Sequence, residues 1–137
     1  MSVKAVAYVD GASRGNPGPA SFGVVFCGHD GKPVKKIGAV IGTATNNTAE
    51  YFGLIVAMQE ALMMGAHELE VFTDSQLVAR QFSGEYKIKE PSIRQLCVFV
   101  TQLRKGFKKI SVTHVPREEN KLADAEANKA LDEASLL

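Results

Sequence analysis

The sequence predicts an α/β fold: one mixed β-sheet with helices packed against it. Three observations carry that prediction. Residues 3–41 hold three apolar, β-rich runs separated by turn signals, the pattern of an antiparallel meander. Two more such runs, at 68–73 and 110–115, are each preceded by segments of helical periodicity, and strands separated by helices imply parallel crossovers. The chain has 137 residues, 45% hydrophobic and 23% charged, which is enough to bury one core without a disulfide or metal staple.

Taken in order, Val3 to Val9 is a short apolar strand ending at Asp10. Gly11 to Pro19 is so rich in glycine and proline that it reads as a loop. Phe22 to Cys27 forms the second strand, Gly28 to Pro33 a hairpin connection and Val34 to Ile41 the third strand. Thr45-Asn46-Asn47 caps a long helix in which Ala49, Phe52, Ile55, Val56 and Leu62 recur at helical spacing until Gly65. Glu68 to Thr73 is the fourth strand and ends at Asp74. A short helix spans Ser75 to Phe82, a basic connector Gly84 to Pro91, and a further helix Ser92 to Arg104. Ile110 to Val115 is the fifth strand, Pro116 to Asn120 a charged loop, and the last helix starts at Lys121 and runs to about Leu131. Repeats and low-complexity linkers are absent, so residues 1–137 read as a single domain.

Lys+Arg is 16 and Asp+Glu is 15, a net charge of +1, which neither requires nor excludes a nucleic-acid partner, because a local patch suffices. Cys27 and Cys97 stand far apart in no metal-ligand spacing and read as reduced thiols. Met1-Ser2-Val3-Lys4 leads directly into the first strand without a signal-peptide pattern, and no apolar run approaches the roughly 20 residues that span a bilayer. A cytoplasmic, monomeric protein is expected.

Four acids occupy comparable places. Asp10 and Asp74 follow strands, Asp124 lies early in the last helix, and Glu50 lies in the first turn of the long helix. Singly, each has an ordinary structural reading: turn former, capping-box partner of Asn47, or favourable charge at a helix N-terminus. Together at the C-terminal ends of strands they would repel unless protons or cations intervene. An all-oxygen donor set suits Mg²⁺ or Mn²⁺.

The words around these acids are more specific. Asp10-Gly11-Ala12-Ser13-Arg14-Gly15-Asn16-Pro17-Gly18-Pro19-Ala20-Ser21-Phe22-Gly23 resembles the opening motif of the type 1 ribonuclease H family. Thr45-Asn46-Asn47-Thr48-Ala49-Glu50, Thr73-Asp74-Ser75-Gln76-Leu77-Val78 and Asn120-Lys121-Leu122-Ala123-Asp124-Ala125-Glu126-Ala127-Asn128 resemble its later motifs, in family order and across nearly the whole chain. The resemblance implies a ribonuclease H-like fold, a five-stranded mixed sheet of order 3-2-1-4-5 whose first three strands are antiparallel. It implies cleavage of the RNA strand of RNA–DNA hybrids, with 5′-phosphate and 3′-hydroxyl products and two Mg²⁺ (or Mn²⁺) ions held by Asp10, Glu50, Asp74 and Asp124. It also implies contact of Glu50 with the RNA 2′-hydroxyl, the group that separates RNA from DNA. Asn16 is expected near sugars, Thr45 and Asn46 at a DNA-strand phosphate, and Asn47 and Gln76 in the minor groove.

The sequence departs from the family pattern twice. The basic, aromatic-rich protrusion that many members carry is replaced by Ser83-Gly84-Glu85-Tyr86-Lys87-Ile88-Lys89-Glu90-Pro91, too short for an extra helix. The chain thus resembles a compact, protrusion-less branch, with Lys87 and Lys89 among the lysines left to meet phosphates. The loop before the last helix lacks the mobile histidine of many members. Arg117 is the preferred substitute, while His114 is expected to be a packed strand residue. An inactive hybrid-binding module and another nuclease of the same fold are the competing readings. The complete acid set argues against the first. Nucleases of the second kind generally lack the Thr-Asn-Asn-x-x-Glu word. Activity on double-stranded RNA stays open.

Overall fold

The computed structural model describes residues 3–136; the sequence reading of Met1 and Ser2 lies outside them. The elements are β1 (Lys4–Ser13), β2 (Gly18–Cys27), β3 (Pro33–Ala44), α1 (Asn46–Met63), β4 (Glu68–Thr73), α2 (Gln76–Phe82), α3 (Pro91–Arg104), β5 (Lys109–His114), a 3₁₀ turn (Arg117–Glu119) and α4 (Lys121–Ser135). The sheet order is β3-β2-β1-β4-β5. β1 and β3 run antiparallel to β2, whereas β1, β4 and β5 run parallel to one another, as expected.

Two expectations are corrected. The segment Gly11 to Pro19 is mostly strand: β1 continues to Ser13 and β2 starts at Gly18, with pairing that extends to Ser13↔Ala20. Only Arg14 to Pro17 form a tight turn, closed by the Arg14 N–H donating to the Pro19 carbonyl at 2.8 Å, while Gly11, Gly18 and Pro19 lie within the strands. Short side chains on either side of that turn leave the ladder unobstructed, so local composition yields to pairing. The second correction concerns the buried face of α1. It is formed by Ala49, Gly53, Ala57 and Ala61 with Tyr51, Leu54 and Met58, whereas Phe52, Ile55, Val56 and Leu62 are only partly buried. Small residues let the helix axis approach the sheet, and the larger ones fill its flanks.

The main core lies between the sheet and α1 with α3. Ala5, Ala7 and Val9 of β1, Phe22, Val24 and Phe26 of β2, and Leu69 and Val71 of β4 face Tyr51, Leu54, Met58, Ile93 and Val100. α4 covers the opposite face through Ala123, Ala127 and Leu131, and the Ser21 hydroxyl donates to the Ala127 carbonyl at 2.5 Å. A Cβ on Gly23 would strike the Ala123 carbonyl oxygen; only glycine lets α4 dock this closely.

Candidate active site

The parallel ladder of β1 and β4 ends at Val9↔Thr73, while β1 goes on along β2 alone. The sheet therefore parts at Asp10 and Asp74, the kind of opening at strand C-terminal ends where sites form in α/β sheets. Side-chain alternation turns Asp10 to the face opposite Val9, and the Glu50 carboxylate meets it through the opening. Glu50 can come this close because a Cβ on Gly11 would collide with the backbone N of Glu50. The Gly11 N–H is shared between two carboxylates, donating to Asp10 Oδ1 at 2.9 Å and to Glu50 Oε1 at 3.0 Å. The buried Thr73 hydroxyl donates to Glu50 Oε2 at 3.4 Å. One oxygen each from Asp10, Glu50 and Asp74 lies within 4.8 Å of the others.

Asp10 and Glu50 are 4% and 5% exposed. Burial pushes the Asp10 carboxyl far above the ordinary range, helped by hydrogen bonding to Glu50, by the charges of Glu50 and Asp74, and by hydrogen bonding to Asp124. Burial also raises Glu50, partly offset by its hydrogen bonds with Asp10 and the Gly11 N–H. Among the described residues no lysine or arginine forms an ion pair with Asp10, Glu50, Asp74 or Asp124. Crowded oxygens without an internal counter-charge fit a hard divalent cation, which supplies what the protein does not.

Asp124, in the first turn of α4, is half-buried and lines the same open cleft of about 690 Å³. It stands outside the tight group of three, at the side of Asp10. Arg117, on the 3₁₀ turn, is exposed and lines this cleft as well. His114 does not line it, and it is exposed at the end of β5, so the expectation of a packed strand residue is corrected. It is the last residue of the edge strand, which has a neighbouring strand on one side only.

The expected substrate contacts divide. Asn16, Asn46 and Asn47 line the cleft; Thr45 and Gln76 do not. The Thr45 hydroxyl accepts the Thr48 N–H at 3.2 Å as the helix cap, and Gln76 is exposed at the start of α2. This corrects the capping-box reading of Asn47 and Glu50: the cap is Thr45, and Glu50 belongs to the second turn of α1. The Asn46 N–H, expected free for a phosphate, donates to Asn16 Oδ1 at 3.0 Å, which ties the β1–β2 turn to α1. Sequence reasoning missed Thr73, Asn120 and Asn128. Asn120 is 1% exposed, and its Nδ2 donates to the Val9 carbonyl at 2.8 Å, joining the start of α4 to β1 beside Asp10. Asn128 lines the cleft one helical turn after Asp124, a spacing visible in the sequence.

The sheet order together with an acid cleft where the central strands part is that of the ribonuclease H-like fold class. The sequence model described as reverse transcriptase-like matches residues 8–130. Ribonuclease HI of Halobacterium salinarum is 49% identical over 128 residues, covering 93% of this chain and 64% of that protein. The bifunctional protein Rv2228c of Mycobacterium tuberculosis is 44% identical over 134 residues, 97% of this chain and 37% of that protein. The chain thus spans less than two thirds of the length of these curated relatives. The crystal structure of the H. salinarum RNase H1 superposes with a TM-score of 0.90 at 48% identity, over 95% of this chain and 98% of that one. LC11-RNase H1, solved in complex with RNA/DNA hybrid, superposes with a TM-score of 0.90 at 38% identity, with coverage of 95% and 98%. The chain belongs to the ribonuclease HI family.

Proposed function

We propose that this chain is a metal-dependent endoribonuclease that hydrolyses the RNA strand of RNA–DNA hybrids, leaving 5′-phosphate and 3′-hydroxyl ends. One observation carries the reading: acids from three distant segments converge within 4.8 Å without a basic partner, on a fold shared with a relative solved on such a hybrid. Asp10, Glu50, Asp74 and Asp124 would hold two Mg²⁺ or Mn²⁺ ions. Such ions supply activation of the attacking water and stabilisation of the leaving oxygen.

The chain's own groups do the rest. Glu50, held from two sides by the Gly11 N–H and the Thr73 hydroxyl, presents its carboxylate to the RNA 2′-hydroxyl. Asn16, Asn46 and Asn47 offer amide groups along the cleft to the sugar and base edges; Thr45 and Gln76 contribute at its margin. The Arg117 guanidinium attracts the scissile phosphate or the leaving group. The connector at 83–90 carries no helix, which supports placement in a compact branch without the basic protrusion. Residues 1–137 act as a single, monomeric ribonuclease H domain in a reducing cytoplasm, in keeping with the free thiols of Cys27 and Cys97. No helix among the described residues is long and apolar enough to cross a membrane. Double-stranded RNA is a candidate second substrate.

The test offers labelled RNA–DNA hybrid, duplex RNA and duplex DNA to the protein with Mg²⁺, Mn²⁺ or EDTA, beside Asp10→Asn and Arg117→Ala. Hybrid cleavage abolished by EDTA and by Asp10→Asn, and slowed several-fold by Arg117→Ala, is the expected result. Hybrid cleavage that survives Asp10→Asn, or none by the parent protein with either cation, refutes the reading.

A further inference from the structure

We infer that Asn128 is a positioning residue that aims the Asp124 carboxylate at the cation site, an inference that rests on the function proposed above. Asn128 Nδ2 donates both to the Asp124 carbonyl at 3.0 Å and to Asp124 Oδ1 at 3.3 Å. Both residues line the acid cleft on one face of α4, one helical turn apart. Asparagine is a poor helix-interior residue, yet Asn128 stands among Ala123, Ala125, Ala127 and Ala130, so helix formation does not account for it. An amide also does what a cation at the same place does not. It orients the carboxylate by hydrogen bonding while adding no positive charge, so Asp124 is held without being neutralised. A lysine or arginine there would compete with the divalent ion for the same oxygens.

The root of the arm is equally well held. Asn120 precedes Asp124 by one turn; its carbonyl accepts the Asp124 N–H at 3.1 Å, and its own amide grips Val9. With the helix start pinned to β1, the remaining freedom of Asp124 is the rotation of its side chain, which Asn128 limits on its own helix while Asp10 meets the carboxylate from β1. Groups that orient metal ligands in this way affect cation affinity as well as turnover.

The test is a calorimetric titration of Mn²⁺ into the full chain without nucleic acid, paired with steady-state cleavage of RNA–DNA hybrid. Asn128→Leu, which keeps the bulk and removes the donor, should weaken Mn²⁺ binding about tenfold. It should lower kcat while leaving KM for the hybrid unchanged. Asn128→Gln, which retains an amide, should recover part of both. In an Asp124→Asn background Asn128→Leu should add nothing further, because the two act through one carboxylate. An equal loss in both backgrounds, or parental cation affinity and kcat in a folded Asn128→Leu protein, overturns the inference and leaves the function reading intact. A parent protein that neither binds Mn²⁺ nor cuts hybrid overturns both.

Discussion

Asp10 and Glu50 divide one backbone N–H between them, and that shared bond states the electrostatic problem of the site at the scale of residues. Both carboxyls lie above the ordinary range, burial being the largest cause for each. A folded carboxyl above its unfolded value means that the folded state binds more protons. Its stabilising contribution is full below the unfolded pKa and is lost as pH rises through the folded one. Asp10→Asn carries no charge at any pH. In EDTA at pH 8 to 9 it should therefore be more stable than the parent by roughly 1–3 kcal/mol. The advantage should shrink towards pH 4, as followed by thermal unfolding. A difference that does not vary with pH would show that the cost of burying the Asp10 carboxyl among the other acids is not what the substitution relieves. The four acids were all legible in the sequence because each sits in a specific word. Thr73 and Asn120 were not, because a buried threonine in a strand and an asparagine before a helix look like ordinary strand and cap residues until their partners are known.

At the scale of elements, the site depends on how closely two helices approach the sheet. Gly11 lets α1 bring Glu50 to β1, and Gly23 lets α4 bring Asp124 alongside it. Gly23→Ala should push α4 outward, at a cost of about 1–3 kcal/mol for overpacking. It should also lower kcat by more than that loss of stability explains at assay temperature, since Asp124 moves with the helix. Urea denaturation and steady-state cleavage check this, with Gly28→Ala as the control, whose added Cβ meets nothing closer than 3.4 Å. Parental activity in a destabilised Gly23→Ala protein would separate the packing of α4 from the site. The elements themselves were largely readable from periodicity, and β4 and α2 fall where the pattern put them. The β1–β2 turn misled because glycine and proline report what a segment tolerates locally, whereas a ladder between two long strands decides what it becomes.

For the molecule as a whole, a net charge of +1 leaves hybrid binding to local cations. Lys87 and Lys89 line a cavity of about 520 Å³ that adjoins the acid cleft, with Asn47 and Leu77 common to both. Phosphates meeting these lysines would release counterions, so KM for the hybrid should rise with salt. Replacing both lysines by alanine should flatten the log–log slope by roughly two, about one for each phosphate left without its lysine. The slope is read from cleavage kinetics at 50 to about 200 mM salt, the range over which such ion pairs respond. An unchanged slope would place the lysines off the path of the hybrid.

The order of residues along the chain was sufficient for the class of fold, for four acids that line one cleft and for a short connector at 83–90. Hydrophobic period, turn chemistry and motif words are local properties that survive without coordinates. Which of those acids share the Gly11 N–H, which side chains turn them, and that Asn16 rather than a phosphate bonds the Asn46 N–H were decided by the tertiary structure alone. Such relations join residues far apart in the chain, 111 positions in the bond from Asn120 to Val9. They exist only once packing has set the distance between the elements that carry them.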